Sequence, residues 1–595
     1  MCGIFGYWDR SRRALDDSVL ETMARRLVHR GPDDQGIHHQ PERGAAVGNR
    51  RLAIIDIAGG HQPMVSDDGM VAVVQNGEIF NFVELADMLR RDGVTLTTNS
   101  DTEVLLRLYE REGIAFVSRL NGMFAIAIDD AREDAMYLVR DRIGVKPLYI
   151  ADDGERMVFG SEIKAILPAA GGERTVQAVD LEAIHHYLSF NYIPAPWTIW
   201  KDVRHVMPGT WMRFSRTGVQ TEAWWSLAAQ REKDHRFEDW SAEFLSILDD
   251  ATRIRLRADV PWGAFLSGGV DSSTIVALMT RHVDQPVKTF CIGFDDPLYD
   301  ESPFAREAAR RFGCDHTSEI AQLNMLDRWP EVLYHLDQPH GDASFIPTLR
   351  VSELAAKHVK VVLTGDGGDE LFAGYDKYAG YFSQPDAFTR PLADFHRSYF
   401  DSISLFSPQA KQALYQPGIA KGLRDVDSFA VAEPWLQEAQ HFDRINQVLY
   451  LDMQLLLSGN NLVKPDRMGM AVSIEARTPF LDWRMMEFAF RSRGNTKLRA
   501  DDKKHWYKRA AAPLMGGDLA YRRKQMFTVP IGDWFRTSSY DWLAATLDNS
   551  DLVHRLFRAD VVRDMLVRHR DGSANFTREL RALAALALWA EQALA

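Results

Sequence analysis

Residues 262–283 read WGAFLSGGVDSSTIVALMTRHV. The apolar run Trp262 to Leu266 has the pattern of a buried strand and passes straight into a Ser/Gly loop, then into an amphipathic helix. Gly268 and Gly269 let the backbone approach a ligand closely. The hydroxyls of Ser267, Ser272 and Ser273 can donate to phosphate oxygens, and the helix start offers free N–H groups at the positive end of its dipole. The stretch therefore reads as an anion cradle at the end of a strand. No Lys follows the glycines, so it is not the GxxxxGK[ST] loop, and cleavage between β and γ phosphates is not indicated. Asp271 would repel a phosphate unless Mg²⁺ reverses the local sign.

Further strand–loop–helix units follow, KTFCIGF with SPFAREAARRFG and VKVVL with TGDGGDELFAGY, as expected of a doubly wound parallel sheet covered on both faces. The acidic loop Thr364-Gly365-Asp366-Gly367-Gly368-Asp369-Glu370 follows a strand, and such sheets bind ligands at the C-terminal ends of their strands. The two loops can therefore face one nucleotide, and three carboxylates beside a phosphate cradle invite a metal. Residues 1 to about 165 have another character: short β-patterned runs such as IFGYW, MVAVVQNGEIFN and MFAIAIDD, broken by turns and interrupted by helical patterns. This predicts an α+β unit of stacked sheets with peripheral helices. The chain after about residue 380 reads mostly helical and ends in FTRELRALAALALWAEQALA. The expected division is a first unit over 1–205, a linker over 206–240 and a second unit over 241–595.

Composition narrows the function classes. The 595 residues carry 70 Lys+Arg against 83 Asp+Glu, a net charge of −13, which disfavours nucleic acid or an anionic membrane as partner. No run approaches the roughly 18 apolar residues needed to span a bilayer, and no signal sequence opens the chain, so a cytoplasmic protein is expected. Three cysteines cannot form a disulfide framework, and none has zinc-like spacing. Cys291 and Cys314 read as packing residues. Cys2 stands apart: if Met1 is removed, thiol and α-amine lie on one residue, and the amine can act as the thiol's general base.

These motifs together carry a resemblance. SGGVDSS looks like the pyrophosphate loop of ATP pyrophosphatases, which cleave ATP between the α and β phosphates. With the N-terminal Met-Cys-Gly-Ile-Phe-Gly, the chain resembles the glutamine-hydrolysing asparagine synthetase family over nearly its whole length. The blocks His29 to Asp33, Arg51 to Asp56, Asn76-Gly77-Glu78-Ile79 and Ser100-Asp101 match class II glutamine amidotransferases, which use an N-terminal Cys nucleophile in an αββα fold. Arg467-Met468, Glu475 to Asp482 and Arg523 to Phe527 match the C-terminal blocks.

The resemblance implies glutamine hydrolysis at Cys2, with Asn76 and Gly77 as oxyanion donors, Arg51 for the glutamine carboxylate and Asp101 with Glu78 for its ammonium. Leu52, Ile54 and Ile55 would line that pocket. In the synthetase half it implies adenine near Phe265 and Ile292, and ribose or α-phosphate near Thr364 and Gly365. Pyrophosphate would lie on Ser267, Gly268, Gly269, Asp271, Ser272 and Ser273, with Mg²⁺ on Asp271 and Asp369 and Lys524 stabilising the acyl-adenylate. ATP and Mg²⁺ are thus the expected cofactors, and glutamine and a carboxylate acceptor the partners; a homodimer is left open. Asp366 is also a candidate catalytic residue, but it departs from the family's usual Glu and is shorter by about 1.5 Å. Gln338, in Asp337 to Ser344, departs from a commonly acidic position. Aspartate is the default acceptor, with a sugar uronate or natural-product acid as the rival. A β-lactam-forming relative is disfavoured by the intact Cys2 set. The alternative from another class is a non-catalytic sensor of glutamine and ATP.

Overall fold

The computed structural model describes residues 2–172, 175–321, 325–522 and 530–594. The N-terminal unit contains twelve strands: β1 (Cys2–Asp9), β2 (Asp34–Gln40), β3 (Ala45–Arg51), β4 (Met64–Val65), β5 (Val71–Ile79), β6 (Gly122–Asp130), β7 (Ala135–Arg140), β8 (Tyr149–Asp152), β9 (Arg156–Gly160), β10 (Val203–His205), β11 (Thr210–Ser215) and β12 (Gly218–Ala223). They form two six-stranded sheets, in the orders β10-β8-β9-β1-β3-β2 and β12-β11-β7-β6-β5-β4. Strand alternation builds the layers. Ile4 and Trp8 of β1, Val47 of β3, Val74 of β5 and Ala125 of β6 share the core between the sheets. Their neighbours Phe5 and Tyr7 pack outward on Leu20 and Met23 of the helix Asp17–Arg25. On the other side Val73 and Ile126 pack on Leu89 and Leu105, from helices Phe82–Arg91 and Asp101–Glu112. The result is helix, sheet, sheet, helix.

The stretch 206–240 is not a plain linker. β11 pairs with both β7 and β12, so residues 210–223 belong to the second sheet. The run Trp211, Met212, Arg213, Phe214 explains why: Met212 and Phe214 face the core between the sheets and Trp211 the outer apolar cluster, a strand hidden in a stretch whose Pro and charged residues read as loop. The connection begins only after Ala223, and helix Phe237–Ile254 opens the second unit.

That unit holds a five-stranded parallel sheet, β13 (Trp262–Phe265), β14 (Lys288–Phe294), β15 (Asp315–Ala321), β16 (Val361–Leu363) and β17 (Glu475–Arg477), in the order β15-β14-β13-β16-β17. The order reverses between β13 and β16, which creates the crevice where such sheets take ligands. The loops that follow these two strands are the two singled out in the sequence. The helix Val270–Met279 is buried on every face from Ser273 onward, not on one stripe as its pattern suggested. The remainder is helical. It includes a nine-residue π-helical segment, Met453–Asn461, and ends in Thr577–Ala593, whose leucines are buried. Among the described residues no helix is long and apolar enough to cross a membrane.

Buried ion pairs join the units. Arg30, fully buried, donates to Glu162 at 3.0 Å and to Asp466 at 2.9 and 3.1 Å, and Arg467 meets Glu162 at 2.9 Å. Deleting one partner of such a set leaves an uncompensated buried charge, so the seam tolerates little relative movement.

Candidate active sites

Parity decides what gathers at the end of the sandwich. Cys2 alternates with Ile4 and Trp8, Asn49 and Arg51 with Val47, and Asn76 and Glu78 with Val74, so all five side chains face between the sheets. Cys2 is buried, and its amide donates to Asn76 Oδ1 at 3.3 Å, while Asn76 Nδ2 donates to Ser161 Oγ at 3.3 Å. Burial pushes the Cys2 thiol up; the N-terminal charge, the Leu52 amide and the Asn49 side chain oppose it. Gly77 has φ 143°, and a Cβ there would lie 1.9 Å from the Met123 carbonyl oxygen, so only glycine lets β5 lie this close to β6.

Arg51 Nη2 donates to the carbonyls of Ile55 and Asp56 at 3.0 and 2.7 Å, and Nη1 to Ile57 at 3.1 Å. The guanidinium wraps this turn and keeps only part of its five-donor set for a carboxylate. Leu52 and Ile54 lie in apolar core shared with the second unit, and Ile54 accepts the Asp259 amide at 2.9 Å. Asp101 follows the helix cap Ser100 and accepts the Ile79 amide at 3.0 Å; burial raises its pKa. Glu78 lies 3.8 Å from Arg477 of the second unit. Burial, then Glu475 and Asp101, hold its pKa well above the ordinary carboxylate range.

Arg477 also reaches the other site. Its backbone carbonyl accepts the Thr364 amide at 2.9 Å, at the start of the acidic loop. One residue of β17 thus touches the Glu78 side chain near Cys2 and the backbone of the acidic loop.

At the crevice, Ser267 and Ser272 hydroxyls lie 3.2 Å apart, and the Gly269 amide donates to Ser267 Oγ at 3.2 Å. Gly268 has φ 71°, and a Cβ there would meet the Phe304 backbone at 2.5 Å. Ser273 is fully buried, away from the cradle's open side. Phe265 ends β13, and Ile292 lies buried in the adjoining β14. The acidic loop presses on the cradle: a Cβ on Gly365 would lie 2.8 Å from Asp271 Cβ. Thr364 Oγ1 donates to Asp366 Oδ2 at 2.7 Å. Lys524 lies outside the described residues.

Lys504 was not anticipated. Its ammonium is 2.7 and 2.5 Å from the two oxygens of Asp271 and 2.7 Å from Asp369 Oδ1. It sits in a run of charges, Asp501-Asp502-Lys503-Lys504, that reads as solvated surface, yet it is buried. The two carboxylates thus converge on one cation, the Lys504 ammonium. Among the described residues no larger His, Cys, Asp and Glu cluster joins them. Two carboxylates completed by phosphate oxygens are a donor set that suits Mg²⁺. Arg522 was also missed: Nε donates to the Gly268 carbonyl at 3.2 Å, and buried Nη1 has no partner among the described residues.

A third polar group lies beyond the acidic loop. Asn461 Nδ2 donates to Glu370, and Asn460 adjoins it in the π-helical segment. Further in, Lys464 Nζ donates to Ser344 Oγ at 3.2 Å, and Asp342 accepts the Ser344 amide at 2.9 Å. Asp342 is held down at about 2, against burial, by Lys464 and Arg581. His340 Nε2, Asn191 Oδ1, Asn460 Oδ1 and Arg581 Nε are buried without hydrogen-bond partners among the described residues. Native interiors rarely leave so many polar atoms unmatched in one place, so the group stands out as a polar cluster. Arg581, where the apolar run of its helix begins, could have been noticed in the sequence. Gln338 instead accepts the Ile199 amide at 3.3 Å and faces the N-terminal unit.

Comparison with known proteins covers both units. A family model described as asparagine synthase matches residues 243–591, and one described as glutamine amidotransferase domain matches residues 1–225. Asparagine synthetase [glutamine-hydrolyzing] 1 of Bacillus subtilis is 30% identical, with 99% of this chain and 96% of that protein covered. A putative asparagine synthetase [glutamine-hydrolyzing] of Mycobacterium bovis is 32% identical, covering 96% and 93%. Asparagine synthetase [glutamine-hydrolyzing] 3 of Bacillus subtilis is 30% identical, covering 90% of each.

Proposed function

The chain belongs to the asparagine synthase family and carries a glutamine amidotransferase domain in front, and from that premise we propose that it uses glutamine and ATP to amidate a carboxylate, aspartate being the acceptor. The observation that carries the reading is the pairing of a Cys2 pocket with a phosphate cradle at the sheet crevice, in one chain and bridged by Arg477. The glutaminase unit runs to about residue 225 and the synthetase unit starts near residue 243.

At the first site the Cys2 thiolate attacks the glutamine side-chain carbonyl. The amide nitrogen leaves as ammonia and a thioester remains, which water hydrolyses to glutamate. The N–H groups of Asn76 and Gly77 take the oxyanion, Arg51 the α-carboxylate and Asp101 the α-ammonium, with Glu78 behind it. The Asn76 oxygen that accepts the Cys2 amide holds the α-amine once Met1 is gone.

At the second site an acceptor carboxylate oxygen attacks the α-phosphorus of ATP. Pyrophosphate leaves toward Ser267, Gly269 and Ser272, with Arg522 at its edge. Mg²⁺ on Asp271 and Asp369 would neutralise phosphate charge there. Ammonia then displaces AMP from the acyl-adenylate, and Asp366 accepts the proton that the new amide sheds. Lys524 is assigned the charge developing on the acyl group. Aspartate as acceptor is supported by the polar room at Asp342, Lys464 and Arg581. Once the side-chain carboxylate is adenylated, an α-carboxylate and an α-ammonium remain, and this group offers two cations and one carboxylate.

A uronate or natural-product acid is the second reading, favoured by the short Asp366 drawn onto Thr364. The test is AMP and pyrophosphate formation from Mg-ATP and glutamine across a panel of carboxylic acids. Aspartate should give both, with asparagine in equal amount. AMP with a uronic acid and none with aspartate would overturn the acceptor assignment and leave the two-site reading standing.

A further inference from the structure

A cavity of about 220 Å³ opens where the helix Leu181–Phe190, from the glutaminase part, meets the helices Leu392–Ile403 and Pro408–Leu414 and the loop 424–428 of the synthetase part. Its walls come from both halves of the chain, a setting in which ligand sites concentrate. No step of the proposed reaction uses it.

Lys411 lies in its wall, with 2% of its surface exposed. The ammonium donates to the His185 carbonyl at 3.0 Å and to Ser428 Oγ at 2.9 Å, both neutral, and forms no ion pair among the described residues. Asp427 acts on it only through space, because Arg397 holds that carboxylate at 2.6 Å. A buried ammonium surrounded by neutral acceptors is destabilised, and burial pushes Lys411 down to about 7. On the rim Arg424 is exposed and makes no hydrogen bond or ion pair among the described residues. A buried cation and an open guanidinium around one cavity are the complement of an anion.

We infer that this cavity binds a small oxyanion, whose carboxylate or phosphate head takes the remaining N–H of Lys411 and the guanidinium of Arg424. Bound there, the anion ties the glutaminase part to the synthetase part at a second point, remote from the Arg30 seam.

Calorimetric titration of the full chain with sulfate, at pH 6 and pH 8.5, tests this. Sulfate does not titrate in this range. Burial holds His185 and His186 near 3 and 4, so both stay neutral. The other charged groups around the cavity are the carboxylates of Glu182, Asp401, Asp425 and Asp427 and the guanidinium groups of Arg397 and Arg424, residue types that do not ordinarily titrate between pH 6 and 8.5, which leaves Lys411 to set the pH dependence. Saturable binding is expected at pH 6, with affinity roughly 30-fold weaker at pH 8.5, where Lys411 must first be protonated. Lys411→Met should abolish the heat. Arg424→Ala, on an exposed loop, should weaken binding at least tenfold without endangering the fold, which glutaminase turnover checks. Succinate and phosphate at pH 6 then distinguish a carboxylate head from a phosphate head. No saturable heat in the wild type, or heat unchanged in both variants, would overturn the inference; the latter would place the anion on the Ser/Gly loop instead.

Discussion

Lys504 shows how much a single side chain can rearrange a reading. Asp271 and Asp369 were legible as a cation pair because each sits in a glycine-containing loop that directly follows a strand of the parallel sheet. Their buried ammonium partner comes from more than a hundred residues further on, inside a charge run with no motif around it. Spacing in sequence cannot report such a partner; only the fold brings it in. Removing the ammonium leaves two carboxylates facing each other and an incoming triphosphate. Lys504→Met should therefore lower ATP-dependent AMP formation by about 10²- to 10³-fold, while hydrolysis of glutamine at Cys2 continues. Loss of both activities together would show that Lys504 serves the fold and not the phosphates. Arg51 is the complementary lesson: its type and position suit a carboxylate binder, but the turn 55–57 already claims much of its donor set.

Among the elements, β1, β3 and β5 were the most readable, because period-two alternation puts Cys2, Asn49, Arg51, Asn76 and Glu78 on the face that also carries Ile4, Val47 and Val74. β11 and β12 were not, since short strands flanked by Pro and charged residues look like a linker, and pairing with β7 outweighs that local bias. The helix after the cradle misled in the opposite direction: its apolar residues cover all faces because packing surrounds it on every side. Close contact between the Ser/Gly loop and the acidic loop depends on glycine. Gly365→Ala would place a methyl group 2.8 Å from Asp271 Cβ and force the cradle apart. A raised KM for ATP is expected, with glutamine hydrolysis and its KM unchanged. Unaltered ATP kinetics in this variant would remove the acidic loop from the binding site.

On the scale of the whole molecule, buried charge sets both cohesion and pH response. Lys497, almost fully buried, donates to Asn446 Oδ1 at 2.7 Å, and burial pushes it down to about 7. An unfolded chain holds that proton up to about pH 10. Between these values the unfolded state binds more protons than the folded one, so stability rises with pH by up to about 1.4 kcal/mol per unit. The unfolding midpoint of the wild type should therefore gain on that of Lys497→Met from pH 7 to pH 9. A difference that stays constant or shrinks would contradict the buried, neutralised lysine.

The same scale carries the central claim, that one chain makes ammonia at Cys2 and spends it at a separate nucleotide site. Formation of amide product and AMP by Cys2→Ala, with glutamine and with an ammonium salt as alternative nitrogen sources, tests it most directly. Synthesis from glutamine should vanish, while synthesis from ammonium stays near the wild-type rate. Equal loss with both sources, or survival of the glutamine-driven reaction, would contradict the division of labour between the two sites.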